Sequence, residues 1–222
     1  MANNPGSRVQ DAYEHLVAEI SSFRLRTGAP LSENRIASEL GISRTPVREA
    51  LRLLEKEGLV KRTDNARYAV SRLTPQEADD ACDLLEVLDA YIARKAAQRM
   101  TSNQAETLLG YVDQMRQAAK EGDIAAWSAA DTKFHRMLND IAGNALVANT
   151  VKETRRRVQR FWLRAASRHH RLESCSDEHA VLVEAIIKED YQAIEEAVRL
   201  HIGHMRERVL DLLESAALFI GE

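Results

Sequence analysis

The hydrophobic positions in the N-terminal part of the chain recur every three or four residues. This spacing predicts helices over residues 9–26, 32–40 and 43–58. The stretch TGAPL at 27–31 separates the first two helices, because Gly and Pro interrupt helical structure. Gly41 and Gly58 are suited to end the second and third helices, and Ser43 is a favourable N-cap for the third.

After the third helix the pattern changes from helical spacing to alternation. Residues 59–63 and 67–73 alternate well enough to predict two short strands joined by a turn at 64–66. Helical spacing returns at Thr74, a good N-cap, followed by Pro75 at the first helical position. The predicted helices from there on are 75–100, 103–120, 123–142, 144–168, 177–188 and 190–218.

The pattern therefore predicts a mostly α protein with two domains. Residues 1–73 are predicted to form a winged helix-turn-helix, and residues 74–222 an all-α antiparallel bundle of about six helices. The composition agrees with a mostly α fold, because only 9 of 222 residues are Gly and 4 are Pro, so few residues interrupt helices. We expect a cytoplasmic protein without a membrane partner, because there is no signal-peptide layout and no apolar run of about 18 residues. Cys82 and Cys175 lie far apart and are expected to be reduced core thiols.

The third predicted helix has an apolar face and an opposite basic face. The basic face consists of Arg44, Thr45, Arg48 and Arg52. A helix N-terminus attracts phosphate, and Arg can reach guanine in the major groove. Residues 1–72 also carry 12 Lys and Arg against 9 Asp and Glu, whereas the remaining residues carry 19 against 25. A solvated charged face is the alternative, but the tight turn and the β-wing favour DNA binding.

The segment LGISRTPVREALRLLEKEGLV resembles the signature of GntR-type transcription regulators of the FadR-like subfamily. The resemblance implies that Arg44, Thr45 and Arg48 contact the operator and that the turn from Asp64 to Arg67 enters the minor groove. The predicted DNA contacts are Ser43, Arg44, Thr45, Arg48, Asn65 and Arg67, with Asn34 and Arg52 as further candidates. Asn34 and Arg67 depart from the family, which often has Arg and Gly at these two positions.

Four polar residues fall on predicted core faces of the helical bundle. They are Asp131, His135, His179 and His201. A buried polar group without a partner costs on the order of 1–3 kcal/mol, so these residues need partners. Each imidazole alone could bond a backbone carbonyl, but three His and one carboxylate together suit a divalent ion such as Zn²⁺, Ni²⁺ or Mn²⁺. Helical phase does not establish that the three helices converge.

The segments around these residues also carry the resemblance. DTKFHRMLNDIAGN, DEHAVLVEAI and AVRLHIGHM are similar to the metal-ligand segments of the FadR-like, FCD-type effector domain, of which a shorter VanR-like variant exists. The resemblance implies that the quartet binds a metal and that the metal binds a carboxylate effector, which is expected near the quartet. One position departs from the family: Leu85 stands where an acid-binding Arg is often found, which weakens the expectation of an organic-acid effector.

Three functions are compatible with these features. The first is a transcription regulator, not an enzyme, and a small metabolite controls its affinity for a palindromic double-stranded DNA operator. This regulator is expected to form a homodimer, because one winged helix recognises only one half-site. The second is a metalloenzyme with an Asp/His₃ centre, and the third is a DNA-binding protein with a purely structural metal. The sequence favours the first of these functions.

The basic run RRRVQR at 155–160 is interpreted as a solvated helix face, and His204 is left outside the quartet.

Overall fold

The protein is described here by a computed structural model that covers residues 5–63, 67–168 and 171–218. The chain divides into two compact units, Met1–Leu73 and Thr74–Glu222. Each unit has its own set of elements and its own interior, and each is described by itself. The mostly α fold class predicted from the sequence is confirmed.

The N-terminal unit contains three helices and a small antiparallel sheet among its described residues. Its elements are α1 (Pro5–Ser21), β1 (Pro30–Leu31), α2 (Glu33–Leu40), α3 (Arg44–Lys56), β2 (Val60–Arg62) and β3 (Tyr68–Val70). The strands are ordered β1-β3-β2, with Pro30 opposite Ala69 and Val60 opposite Val70. The sequence pattern did not predict β1, because TGAPL was interpreted only as a helix break.

The helix-turn-helix is shaped by its capping residues. The Ser32 side chain accepts a hydrogen bond from the backbone N–H of Arg35, which starts α2. Gly41 ends α2 with φ +63°, in the left-handed region that glycine adopts without strain. Ser43 occupies the N-cap position of α3 as expected, but its side chain makes no capping hydrogen bond. The hydroxyl of Ser43 is therefore not used by its own helix.

The core of this unit is built on the apolar face of α3. Val47, Leu51 and Leu54 are completely buried and pack with α1 residues such as Leu16 and Ile20. Burying a side chain of this size stabilises a fold by about 1.5–3 kcal/mol. Since the buried residues share one side of α3, the basic residues of the same helix are left on the outside.

The C-terminal unit is all-α over its described residues. Its helices are α4 (Pro75–Ala97), α5 (Ser102–Glu121), α6 (Ile124–Ala142), α7 (Ala145–Arg168), α8 (Leu172–Ile187) and α9 (Tyr191–Leu218). Thr74 and Thr101 form capping boxes that start α4 and α5. The predicted start of α8 at residue 177 is wrong. The helix begins at Leu172, so Cys175 and Ser176 are helical and buried.

Candidate DNA-binding surface and metal centre

A basic cleft lies in front of α3 in the N-terminal unit. The cleft has a volume of about 810 Å³. Its lining includes five of the predicted DNA contacts: Asn34, Arg44, Arg48, Arg52 and Arg67. It also includes Arg35 and Arg62, which the sequence analysis did not single out. Two helices and the wing therefore contribute cationic side chains to one concave surface.

Two further predicted DNA contacts, Ser43 and Thr45, are exposed at the N-terminal end of α3 and do not line the cleft. Asn65 lies outside the described residues. Arg67 is exposed, and its carbonyl accepts hydrogen bonds from the backbone N–H and the hydroxyl of Thr63.

Glu33 holds the two central arginines of the cleft. Its carboxylate accepts hydrogen bonds from Arg48 Nη2 at 2.9 Å and from Arg44 Nη2 at 3.3 Å. The hydrogen bond from Arg48 outweighs partial burial and lowers the pKa of Glu33. Both arginines remain about half exposed, so these ion pairs contribute little to stability and mainly restrict where the guanidinium groups point.

Asp131, His135 and His179 meet in the interior of the C-terminal unit. Asp131 Oδ1 lies 3.3 Å from His135 Nε2 and 3.2 Å from His179 Nε2. The two Nε2 atoms are themselves 3.2 Å apart. His201 completes the cluster, because the three imidazoles offer nitrogen atoms that all lie within 4.8 Å of one another. The structure thus brings together all four residues of the predicted quartet.

Two of the imidazoles are oriented by hydrogen bonds on their other nitrogen. His179 Nδ1 lies 2.7 Å from the carbonyl oxygen of Cys175, one helical turn earlier. His201 Nδ1 lies 3.0 Å from Glu178 Oε2. An Nδ1–H that donates to an oxygen leaves the Nε2 lone pair free, which is the arrangement common in metal-binding histidines. These contacts prepare both side chains to act as ligands through Nε2.

Burial sets the protonation of the cluster. Burial would raise the pKa of Asp131, but His135 and His179 outweigh that effect and hold it well below its usual range. Burial lowers the pKa of His135 to about 4, and the positive charge of Arg155 adds to this effect. Burial also lowers the pKa of His201. The cluster therefore offers a carboxylate at Asp131 and neutral imidazoles at His135 and His201, which are the forms that bind metal.

Cys175, Glu178 and His201 form a second set of possible ligands. Burial raises the pKa of Cys175 well above its usual value, so the sulfur is held as a thiol and not as the thiolate that metals prefer. Glu178 also lies 2.7 Å from His204 Nδ1 and is thus shared between two imidazoles. The donor chemistry favours the Asp131 quartet as the ligand set and gives Glu178 an orienting role.

Sequence reasoning missed several residues around this centre. Glu178 carries no periodic signal of its own, although it directly precedes His179. Gln159 lies 3.4 Å from Asp131 Oδ2, and Arg155 pairs with Asp89 of α4. The interpretation of 155–160 as a solvated face is wrong for part of the run, because the Arg155 side chain is 11% exposed and Arg160 is buried. The signal was present in the spacing: Arg155 lies four residues from Val151 and from Gln159, on an inward face of α7.

A winged helix-turn-helix joined to an all-α unit is the architecture of a class of DNA-binding transcriptional regulators. Residues 8–70 match the family described as "Bacterial regulatory proteins, gntR family", and residues 80–204 match the FCD domain. The chain belongs to the GntR family of transcriptional regulators, with an FCD domain as its second part. It is a regulator and not an enzyme, as the sequence predicted.

Known relatives agree with this assignment. The chain is 32% identical over 197 residues to a protein of Paenarthrobacter nicotinovorans described as "Probable D-xylose utilization operon transcriptional repressor", covering 89% of this chain and 85% of that one. It is 25% identical to the transcriptional repressor RspR of Escherichia coli, over 99% of this chain and 96% of that one. The solved structure of E. coli McbR/YncC shares the fold, with a TM-score of 0.75 at 17% identity, and covers 98% of this chain and 100% of that one. Among the described residues, no helix is long and apolar enough to cross a membrane.

Proposed function

We propose that this regulator binds a divalent metal through Asp131, His135, His179 and His201, and that a small metabolite acting at or near this metal controls its operator affinity. The observation that carries the proposal is the convergence of the four side chains in the FCD domain. Three nitrogen donors and one carboxylate oxygen suit Zn²⁺, Ni²⁺ or Mn²⁺.

The hydrogen-bond pattern itself supports a cation at this position. His179 Nδ1 lies 2.7 Å from the Cys175 carbonyl oxygen, so His179 has only Nε2 to offer the centre of the cluster. That Nε2 lies 3.2 Å from Asp131 Oδ1 and 3.2 Å from His135 Nε2, so two imidazole nitrogens and a carboxylate oxygen converge on one point. A cation bound at that point would accept an electron pair from each of them.

The DNA-binding part of the proposal rests on the cleft in front of α3. Arg44, Arg48 and Arg67 line it, with Ser43 and Thr45 exposed at its helical end and Asn34 and Arg52 in its wall. One winged helix recognises a single half-site, so the proposal includes a homodimer and a palindromic operator. It also includes a cytoplasmic location, where the DNA of a bacterial regulator lies. Relatives described as repressors of D-xylose and gluconate operons suggest an effector derived from sugar or sugar-acid metabolism.

The metal proposal is tested on the purified full-length protein with elemental analysis, native mass spectrometry and operator binding. Asp131→Asn should lower metal occupancy at least tenfold, because it removes the only anionic donor of the quartet. Asp140→Asn, an exposed acid on the same helix, should retain full occupancy. Full occupancy in Asp131→Asn would reject the proposed ligand set.

The DNA-binding part of the proposal is tested by fluorescence anisotropy with the promoter region of the protein's own gene. Binding without sequence preference at moderate salt would reject this part of the proposal.

A purely structural metal is the second candidate, and one observation favours it. The cavity on the interior side of His135 and His201 has a volume of only about 20 Å³, enough for about one water. In that case metal removal would unfold the helical unit and no small molecule would change operator affinity. A metabolite that changes operator affinity of the metal-loaded protein would exclude this candidate.

A further inference from the structure

We infer that Cys175, Glu178 and His201 form a second cation site, which binds a thiophilic divalent ion such as Cd²⁺ and competes with the Asp131 quartet for His201. The inference rests on the proposed function in one respect, because the quartet is the site with which the second site competes. It gives a role to the Cys175 thiol, which the quartet does not use.

The three donors of the second site meet where α8 packs against α9. Cys175 and Glu178 lie three residues apart on α8 and therefore share a face of that helix, and His201 lies on α9. Cys175 Sγ is 3.9 Å from His201 Nδ1, and Glu178 Oε2 is 3.0 Å from the same nitrogen. The three side chains offer ligand atoms that all lie within 4.8 Å of one another. One ion can therefore bind all three after small side-chain adjustments.

The Glu178 carboxylate divides its two oxygens between different partners. Oε1 lies 2.7 Å from His204 Nδ1 and 3.7 Å from Arg171 Nη2, whereas Oε2 lies on the side of His201. Oε2 is thus the oxygen that a cation beside His201 would bind. The charge of Arg171 opposes such a cation, but a thiolate and a carboxylate together neutralise a divalent ion. The quartet, by comparison, contains a single anionic donor.

The sulfur ligand determines which ions enter the second site. Zn²⁺, Ni²⁺ and Mn²⁺ find nitrogen and carboxylate donors in the quartet, whereas a sulfur ligand selects softer ions. A thiophilic ion replaces the proton of the Cys175 thiol: the S–H bond breaks as the sulfur–metal bond forms, and the proton is released to the solvent. The second site therefore differs from the quartet in the class of metal that it binds.

The second site has a route to the solvent. Cys175 is 2% exposed, the Glu178 side chain is 17% exposed and the His204 side chain, which contacts Glu178, is 42% exposed. Exposure thus increases from the sulfur outward through the carboxylate. An ion can reach the buried sulfur by way of Glu178.

His201 cannot serve both sites at once. A neutral imidazole has one lone pair, so it binds one cation at a time. His201 would serve the quartet through Nε2 and the second site through Nδ1. When the second site is occupied, the quartet retains only Asp131, His135 and His179. A metal that loses one of four protein ligands is held more weakly, so a thiophilic ion should release the metal of the quartet.

The test is titration of the Zn²⁺-loaded, full-length protein with Cd²⁺, followed by the ultraviolet thiolate-to-Cd²⁺ charge-transfer absorption and by native mass spectrometry. The absorption should saturate at one Cd²⁺ per chain. At limiting free Zn²⁺, zinc occupancy should fall at least fivefold as the absorption rises. Cys175→Ser, or Cys175→Ala if the serine variant does not fold by circular dichroism, should abolish the absorption. Cys82→Ser removes the other cysteine of the chain, which is also buried, and should leave the absorption unchanged.

Each further outcome overturns the inference or a stated part of it. The absence of the absorption, or its persistence without Cys175, would overturn the second site. One Cd²⁺ and one Zn²⁺ held together on each chain would overturn the competition for His201.

The same measurements separate this inference from the proposed function. Normal zinc occupancy without any charge-transfer absorption leaves the quartet standing and rejects the second site. Charge-transfer absorption together with full zinc occupancy in Asp131→Asn supports the second site and rejects the proposed ligand set of the quartet.

Discussion

Glu178 orients His201 in the candidate metal centre. It lies 3.0 Å from His201 Nδ1 and 2.7 Å from His204 Nδ1, and its side chain is 17% exposed. Burial would raise the pKa of Glu178, but the two imidazoles outweigh it and lower the pKa, so the group is a carboxylate at neutral pH. A carboxylate behind a histidine ligand fixes the ring and strengthens its donor nitrogen.

We expect Glu178→Gln to lower metal affinity by about 10–100-fold without unfolding the protein, since it weakens the orientation of His201 but removes no ligand. Competition with a fluorescent chelator measures the affinity, and circular dichroism measures the fold. Glu173→Gln, an exposed position on the same helix, is the matched control and should bind metal normally. Equal affinity in both variants would remove Glu178 from the metal centre.

Arg48 is the arginine of α3 most firmly held toward the cleft. We expect Arg48→Ala to weaken operator binding roughly tenfold and to reduce the salt dependence of binding, because a phosphate or base contact is lost. Anisotropy titrations at several salt concentrations measure both quantities. Arg24→Ala, which removes an exposed arginine outside the cleft, should change neither.

The residues of the candidate centre could be predicted to the extent that they share helical faces. Asp131 and His135 lie one turn apart in an apolar stripe, and this spacing was visible in the sequence. Their meeting with His179 and His201 depends on how α6, α8 and α9 pack, and local periodicity does not contain that information. Arg155 was missed for a related reason: a basic run resembles a solvated face unless its partner, Asp89 of α4, is known to be adjacent.

At the scale of the element, α3 shows how one helix serves two surfaces. Leu51 is completely buried, whereas Leu53, two residues further on, is 41% exposed. The inner face fixes the helix against α1, and the outer face presents arginines to the cleft. The position of the arginines therefore depends on the packing of the leucines.

We expect Leu51→Ala to lower the free energy of unfolding of the N-terminal unit by about 2–5 kcal/mol, because it leaves a cavity in a tightly packed core. Leu53→Ala on the same helix should cost far less. Urea unfolding followed by circular dichroism measures the difference. Similar losses in the two variants would contradict the assignment of the inner face.

Element boundaries were predictable where a capping residue marked them. Thr74 and Pro75 begin α4 as predicted, since the capping box is a local interaction. The start of α8 was missed because the helix begins at Leu172 without a capping residue: Arg171 makes no side-chain capping bond, whereas Ser174 and Ser176, typical N-cap residues, lie inside the helix. Strand β1 has only two residues and is defined by its pairing with β3. The local sequence pattern does not reveal this contact.

At the scale of the whole molecule, the candidate DNA-binding surface and the candidate metal centre belong to different units of the chain. The cleft belongs to Met1–Leu73 and the quartet to Thr74–Glu222. Each unit has its own core, so each ligand is expected to stabilise the unit that binds it.

Differential scanning calorimetry tests this separation. At a free metal concentration of 100 Kd, we expect the helical unit to gain about 2.7 kcal/mol, and chelation to remove that gain. Operator DNA should raise the transition of the N-terminal unit instead. In Asp131→Asn the metal effect should be lost and the DNA effect retained. A metal-dependent shift of the N-terminal transition alone would place the metal in the other unit.

The Glu33 carboxylate has a consequence for how the protein searches a genome. A phosphate that Arg44 or Arg48 engages competes with this internal acceptor, which lies 2.9 Å from Arg48 Nη2. This competition weakens binding to all DNA sequences to the same extent, but at the correct operator the contacts with base edges compensate for the lost binding free energy. Random sequence is therefore released sooner, and sliding between sites is faster. Glu33→Gln should lengthen the residence time on random DNA more than on the operator. The variant would therefore bind non-specific DNA more tightly and find its operator more slowly.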